Sequence, residues 1–342
     1  MSLLPRILIT ALVAIASTSA FAAKQIAAEP GISGFFTLGI GAISSESNML
    51  ATALGADLGD DTIDDPTQDP DSESSAIPLV GLSVTYTFEN KATELFFGSS
   101  FEDFLRFDFA TVIGVRHQVG DVGIFEVSAL STPLATEVWE DPYLAGSARD
   151  ETDRTTDGAR VEWGSIFGSG FDVRFSSREV DIDDERSGDA LVAATTITAA
   201  EQELLDRNGD ITVASVVYNW KIEEGRILSI SVNSIEYDLD GEAMAYDGTS
   251  VQLAYAARLN DRSNIVTNLL FGSYDYDEEN PIVDETNESD LTGLTFTYFL
   301  TDPFGFKGWL GNAGFVYSDA DHDIDFYDSN ATMVNIGVLR RF

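Results

Sequence analysis

Several ionisable side chains fall one residue away from apolar ones: Arg106, Asp108, Arg116, Glu126, Arg160, Glu162, Asp172, Arg174, Lys221, Arg258 and Arg341. Spaced by two within alternating stretches, such residues share one face of a strand. Acid and base mixed on one face do not make or break bonds. Lining a water-filled passage, they would sort ions and small solutes by charge; paired with one another, they would brace a closed interior. The chain has only two histidines. His117 lies beside an expected tight turn with no nucleophile near it. His322 stands in Asp319-Ala-Asp-His-Asp-Ile-Asp325, where an acid–histidine dyad could hydrolyse a peptide or lipid, but a histidine in an acidic loop is more often only solvated. No catalytic residue is expected. Asp319, Asp321 and Asp323 have the spacing of a calcium loop, yet Ile324 stands where such a loop needs glycine and Asn330 where it needs a bidentate glutamate. Asp206, Asn208 and Asp210 fit no better. No metal site and no cofactor are expected; the remaining role for divalent cations is to bridge loop carboxylates to anionic lipopolysaccharide.

The elements that carry these residues read as strands. Val80, Leu82, Val84, Tyr86 and Phe88 alternate with small or polar residues, as do Phe107–Val115, Val161–Phe167, Phe171–Phe175, Val216–Ile222, Leu228–Val232, Val251–Leu259, Leu294–Leu300 and Val334–Val338. A period of two with one apolar face is a strand signal. After Val232 the phase slips before Ile235 and Tyr237, which predicts a bulge. Strands over 34–42, 93–98, 124–139, 265–276 and 309–318 complete a set of about fourteen. Their connections alternate between long acidic loops and short turns. That asymmetry and an even strand number predict an antiparallel, up-and-down transmembrane β-barrel, with long acidic outer loops and short periplasmic turns. Aromatics near strand ends are expected as interfacial girdles: Phe88, Phe171, Trp220, Trp309 and Phe342 on the periplasmic side, Trp139, Tyr237, Tyr274 and Tyr317 on the outer side. Arg340 falls on the lipid-facing track, tolerable only where it can snorkel to the interface.

The ends of the chain suit this reading. Arg6, the apolar run Ile7–Ala16 and the small residues up to Ala22 predict a secretory signal peptide, 1–22, cleaved near Ala22. Residues 23–342 are then one barrel domain integral to the bacterial outer membrane. Phe342 closes the last strand, where the barrel-assembly machinery would engage it. The 342 residues include no cysteine, and 58 acidic against 19 basic residues argue against a nucleic-acid partner. The 22 phenylalanines argue against a disordered acidic chain. A barrel of this size leaves a lumen that side chains cannot simply fill. Any constriction must come from a loop turning inward, and 46–76 and 183–210 are long enough; Ala199–Leu205 has helical composition.

The segments Phe101–Asp108, Ser131–Tyr143, Leu204–Asp210 and Tyr237–Met244 resemble a proteobacterial family described as domain of unknown function 2860. The resemblance spans the mature chain and implies a secreted outer-membrane protein. It brings no catalytic or binding residues with it. The expected function is a porin-like passive channel for small hydrophilic solutes or ions, with an acidic vestibule that concentrates cations. The alternative is a closed structural or surface-interaction barrel whose acidic loops contact lipopolysaccharide or external partners.

Overall fold

The computed structural model describes residues 25–53, 55–103, 108–132 and 136–342, without the side chains of 100–103, 108 and 109. The expected signal peptide and Arg106 lie outside the described residues. In chain order come β1 (Gly31–Glu46), β2 (Leu50–Ala53), β3 (Ala56–Asp57), β4 (Ser72–Thr87), β5 (Thr93–Asp103), β6 (Asp108–Val119), β7 (Gly123–Ser131), β8 (Thr136–Trp139), β9 (Glu151–Gly164) and β10 (Phe171–Ile182). Two short helices, α1 (Asp189–Ala193) and α2 (Ala199–Gln202), precede β11 (Gly209–Glu223). Then follow β12 (Arg226–Leu239), β13 (Tyr246–Arg258), β14 (Ser263–Asn280), β15 (Glu285–Thr301), β16 (Trp309–His322) and β17 (Ser329–Arg341).

Each strand pairs antiparallel with its neighbour, and β8 carries β7 onward, so the wall is a closed barrel of 14 strands. β1 closes the ring against β17 in an unbroken register from Phe35 opposite Arg341 to Glu46 opposite Asn330. Gly34 and Phe342 exchange both backbone hydrogen bonds, each 3.0 Å. A Cβ at Gly34 would stand 2.2 Å from the Ser83 carbonyl oxygen and 2.8 Å from the Phe342 ring. Gly34→Val should therefore wedge the seam, costing ~1–3 kcal/mol as overpacking does. The check is the temperature at which the folded, fast-migrating band disappears in gel electrophoresis; an unchanged temperature would mean that the seam has slack.

Alternation decides which way each strand faces. On β17, Val334 and Ile336 are 53% and 60% exposed, whereas Met333, on the inward track, is 2% exposed. The same split gives an outward apolar belt of Leu38, Ile40, Val80, Leu82, Ile113, Val161, Val216, Val232, Phe271 and Phe296. A soluble barrel could not expose such a belt without aggregating; hydrocarbon is the solvent that suits it. Phe88, Phe171, Trp220 and Phe342 are exposed at the periplasmic edge, with Trp309 beside them half-buried. Arg340 lies over the Trp309 ring at 5.4 Å, which lets the cation leave the hydrocarbon along an aromatic face.

Three sequence-based expectations change. β12 pairs with β11 and β13 without interruption through Ile235; there is no bulge, and Ile235 and Tyr237 face inward because the interior turns apolar at that height. Trp139, Tyr237 and Tyr274 are also inward or buried rather than girdle residues. Several strands run on beyond the belt: β15 begins at Glu285, inside the expected loop, because the backbone ladder persists where outward side chains meet water and alternation vanishes.

Candidate functional site

The interior has three levels. In the periplasmic half, charges gather on neighbouring strands. The Arg116 guanidinium lies 2.9 Å from Glu94 on β5 and 4.7 Å over the Phe96 ring. Glu126 stands opposite Arg116 on one side and Glu162 on the other in register, and the Arg174 Nε–H donates to Glu162 at 3.0 Å. Asp172 accepts from the Ser165 backbone N–H at 2.6 Å and from the Asn219 amide at 2.8 Å. Arg160 and the unexpected Arg178 are buried higher on the same wall and have partners of their own. Arg116, Glu126, Arg160, Glu162, Asp172 and Arg174 thus share one wall, each with a partner rather than as a ring of free charges. Asp108 begins β6, with only its backbone described. Lys221, Arg258 and Arg341 stand apart at the periplasmic rim. There the inward track reaches water, and Arg258 bonds Asp261 in the adjoining turn at 2.7 Å. Glu94 lies inside the expected strand 93–98 but was not assigned to its inward face, and Arg178 lies past the expected end of β10; continuing the alternation through Arg174, Ser176 and Arg178 would have found the second.

Facing this wall, β11–β17 and β1 present hydroxyls and amides: Ser229, Ser231, Ser250, Asn268, Thr295, Thr297 and Thr37 are all nearly enclosed. The Asn268 amide donates to Thr295 at 2.6 Å and that of Asn233 to Ser250 at 3.0 Å. Among the described residues, one amide atom each of Asn264, Asn312 and Asn335 has no hydrogen-bond partner. Such groups are at home beside water or a polar solute. Below them Phe35, Ala256, Val266, Phe299, Leu310 and Leu339 form an apolar half-collar.

The middle level is apolar. The long connection after β1 turns inward as the β2–β3 hairpin. β2 pairs with β8 along the edge above the short β5–β6 pair. Ala53, Ala56 and Leu58, at most 1% exposed, pack on Ile43, Ile77, Ile235, Leu270, Leu291 and Met333 from strands around the ring. One of the two loops long enough to constrict the lumen does so.

The outer level is a cap. Ile63, Tyr143, Leu191, Ile197, Leu205, Met244, Ile282, Phe326 and Tyr327 come from six of the outer connections and pack together. The acidic outer face thus lies over a closed mouth: most of the loop carboxylates are exposed, while the apolar residues scattered among them build a small core. Tyr143 and Tyr327 share a 2.7 Å hydroxyl hydrogen bond, and Asn280 donates to Tyr327 at 2.6 Å. Burial pushes the Tyr143 phenol well above its ordinary range and that of Tyr327 up to about 12, so both stay neutral. Asp141 accepts from Tyr143, Gly188 and Ala190 backbone N–H groups, and α2 begins with a Thr198–Glu201 capping box.

His322, above the outward Tyr317, is drawn into this level. Its Nδ1 accepts from the Asn287 amide at 2.9 Å, since the Asn287 oxygen accepts from Ile324 N–H. Asp328 accepts from the His322 backbone, not from its ring. β16 runs through His322, so Asp319 and Asp321 lie on its outward track and Asp323 beyond its end. Among the described residues no acidic or histidine triplet converges as metal ligands would. Burial lowers the His322 pKa from 6.5 to about 4. In the unfolded chain the ring takes its proton near its ordinary value. The fold therefore loses stability as pH falls from about 6.5 to about 4 and loses no more below that, at most ~3 kcal/mol. Glu151, Asp277 and Asp328, raised chiefly by burial, act in the opposite sense. The histidine's share is hence the difference between the wild type and His322→Gln, measured as heat-modifiable mobility at pH 7 and 4; equal differences at the two would contradict it.

A family model described as "Protein of unknown function (DUF2860)" matches residues 31–340. No curated protein matches the chain. Similar solved structures include a Pseudomonas aeruginosa FadL homologue, at 10% identity and TM-score 0.43 over 91% of this chain and 90% of that one. The outer membrane channel DcaP of Acinetobacter baumannii has 11% identity and TM-score 0.41, over 94% and 100%. An anion-selective porin from Comamonas acidovorans has 9% identity and TM-score 0.40, over 92% and 99%.

Proposed function

The chain belongs to the DUF2860 family, and we propose that it is an integral barrel of the bacterial outer membrane, sealed at rest by its loops, that passes a small polar solute when they part. Cleavage near Ala22 would release a chain that starts just before β1. The observation that carries the reading is the order of the levels: a polar, amide- and charge-lined interior lies beneath an apolar hairpin and an apolar cap. A general diffusion pore keeps its charged ring open to water; here Arg116 and Arg174 are paired with buried glutamates. The paired wall also favours a second reading, a closed barrel whose acidic outer face meets cations and lipopolysaccharide.

Purified protein in planar bilayers should be silent apart from brief, infrequent openings. Steady ohmic conductance from the wild type would refute the sealed state. Loop-opened variants that stay impermeable to ions and sugars would refute passage and leave the closed barrel.

A further inference from the structure

Between the hairpin and the cap lies a cavity of about 310 Å3, at the small end of the range for small-molecule sites. Tyr237, Tyr246, Tyr274, Tyr276, His322 and Arg154 line much of it. The tyrosines form a continuous aromatic surface: Tyr246 stacks on Tyr237 at 4.4 Å and meets Tyr276 at 4.9 Å and Tyr274 at 5.7 Å. The chain carries 58 side-chain carboxylates, yet among the described residues none lines this cavity. Arg154 lies on the inward track of β9, between Thr136 of β8 and Ile182 of β10 in register. Among the described residues it is the cavity's one charged group, and no carboxylate is paired with it. His322 is neutral at physiological pH, and with Nδ1 accepting from Asn287 its ring proton sits on Nε2, adding a donor rather than a charge.

We propose that this chamber binds a small monocyclic aromatic carboxylate, its ring against the tyrosines and its carboxylate on Arg154. Flat aromatic faces favour an offset or edge-on ring. A half-enclosed guanidinium without an anion favours a planar carboxylate, which it can grip with two parallel hydrogen bonds. A cation would meet the charge of Arg154 with no carboxylate to offset it. The proposal rests on the reading of the barrel as a solute passage, because a ligand reaches the chamber only when the cap parts.

The test is calorimetric titration of the folded, detergent-solubilised protein with benzoate, with benzamide and glucose as uncharged probes. Benzoate should bind saturably, benzamide about tenfold or more weakly, because its neutral amide cannot form the charge-assisted pair with the guanidinium, and glucose not at all. Arg154→Gln should weaken benzoate by at least about the same factor while Arg154→Lys keeps part of it, and Tyr246→Leu should weaken both aromatic probes together. Each variant is first shown to be folded by heat-modifiable mobility. Absence of saturable benzoate binding, or equal binding by wild type and Arg154→Gln, overturns the assignment. Benzoate binding without flux in any loop-opened variant would sink the passage and spare the site; flux without benzoate binding would do the reverse.

Discussion

Excising residues 48–71 and joining Ser47 to Ser72 through an Asn-Gly turn should convert a silent barrel into a steadily conducting one. The excision is tolerable because Glu46 and Ser72 already face each other at the outer end of the β1–β4 ladder. With Ser47 kept, the connection is the three-residue loop Ser47-Asn-Gly, and a three-residue loop ending in glycine closes such a pair without splaying it. What leaves is the β2–β3 hairpin with Ala53, Ala56 and Leu58, the wedge between inward residues of strands around the ring, together with Ile63, which belongs to the cap. What remains is the hydroxyl- and amide-lined wall facing the paired charges, under a cap of the other five connections that has lost Ile63 and the loop Arg149 ties to it. Open-channel time in planar bilayers should rise by an order of magnitude or more, about what losing ~1.4 kcal/mol of closing energy brings and less than a buried hairpin contributes. A correctly folded variant that stays silent would show that the hairpin is not the plug.

Arg149→Met should free that hairpin without unfolding the barrel. The Arg149 side chain is 4% exposed. Its guanidinium donates to the carbonyls of Asn48 and Pro142 at 3.0 Å each and to that of Asp60, and it lies 4.4 Å over the Trp139 ring. Burial lowers its pKa to about 10, still cationic at neutral pH. One side chain thus ties both ends of the inward loop to the connection after β8. Methionine fills the volume but leaves three carbonyls unsatisfied, a local cost of ~3 kcal/mol or more. Hydrogen exchange at 48–61 and protease cleavage in that loop should accelerate at least about a hundredfold, while melting of the barrel band hardly moves. Equal protection in wild type and variant would place the latch elsewhere.

The wall was legible in the sequence because hydrocarbon on one side and a different environment on the other impose a strict period of two. Even Arg340, which breaks the outward track, sits where a snorkelling side chain finds the Trp309 face. The cap was not legible. Ile63, Tyr143, Leu191, Met244 and Phe326 stand singly among acidic residues, with no period to mark them, and only the closed ring brings their loops over one another. The interior hairpin was visible as length alone. Ile235 and Tyr237 misled for a related reason: an inward track that turns apolar under a plug imitates a shift of phase. Trp139 and Tyr274 misled as girdle residues because an aromatic near a strand end looks the same whether it faces lipid or a chamber.

The most direct test of a sealed polar interior uses the absence of native cysteine. Ser231→Cys places a thiol on the inward track of β12 below the hairpin, and Val232→Cys one on the lipid face next to it. A membrane-impermeant, charged thiol reagent added outside intact cells should leave both unlabelled in the otherwise wild-type chain. After excision of 48–71 it should label Ser231→Cys rapidly and Val232→Cys still not at all. Rapid labelling of Ser231→Cys with the loop intact would mean that the lumen stands open.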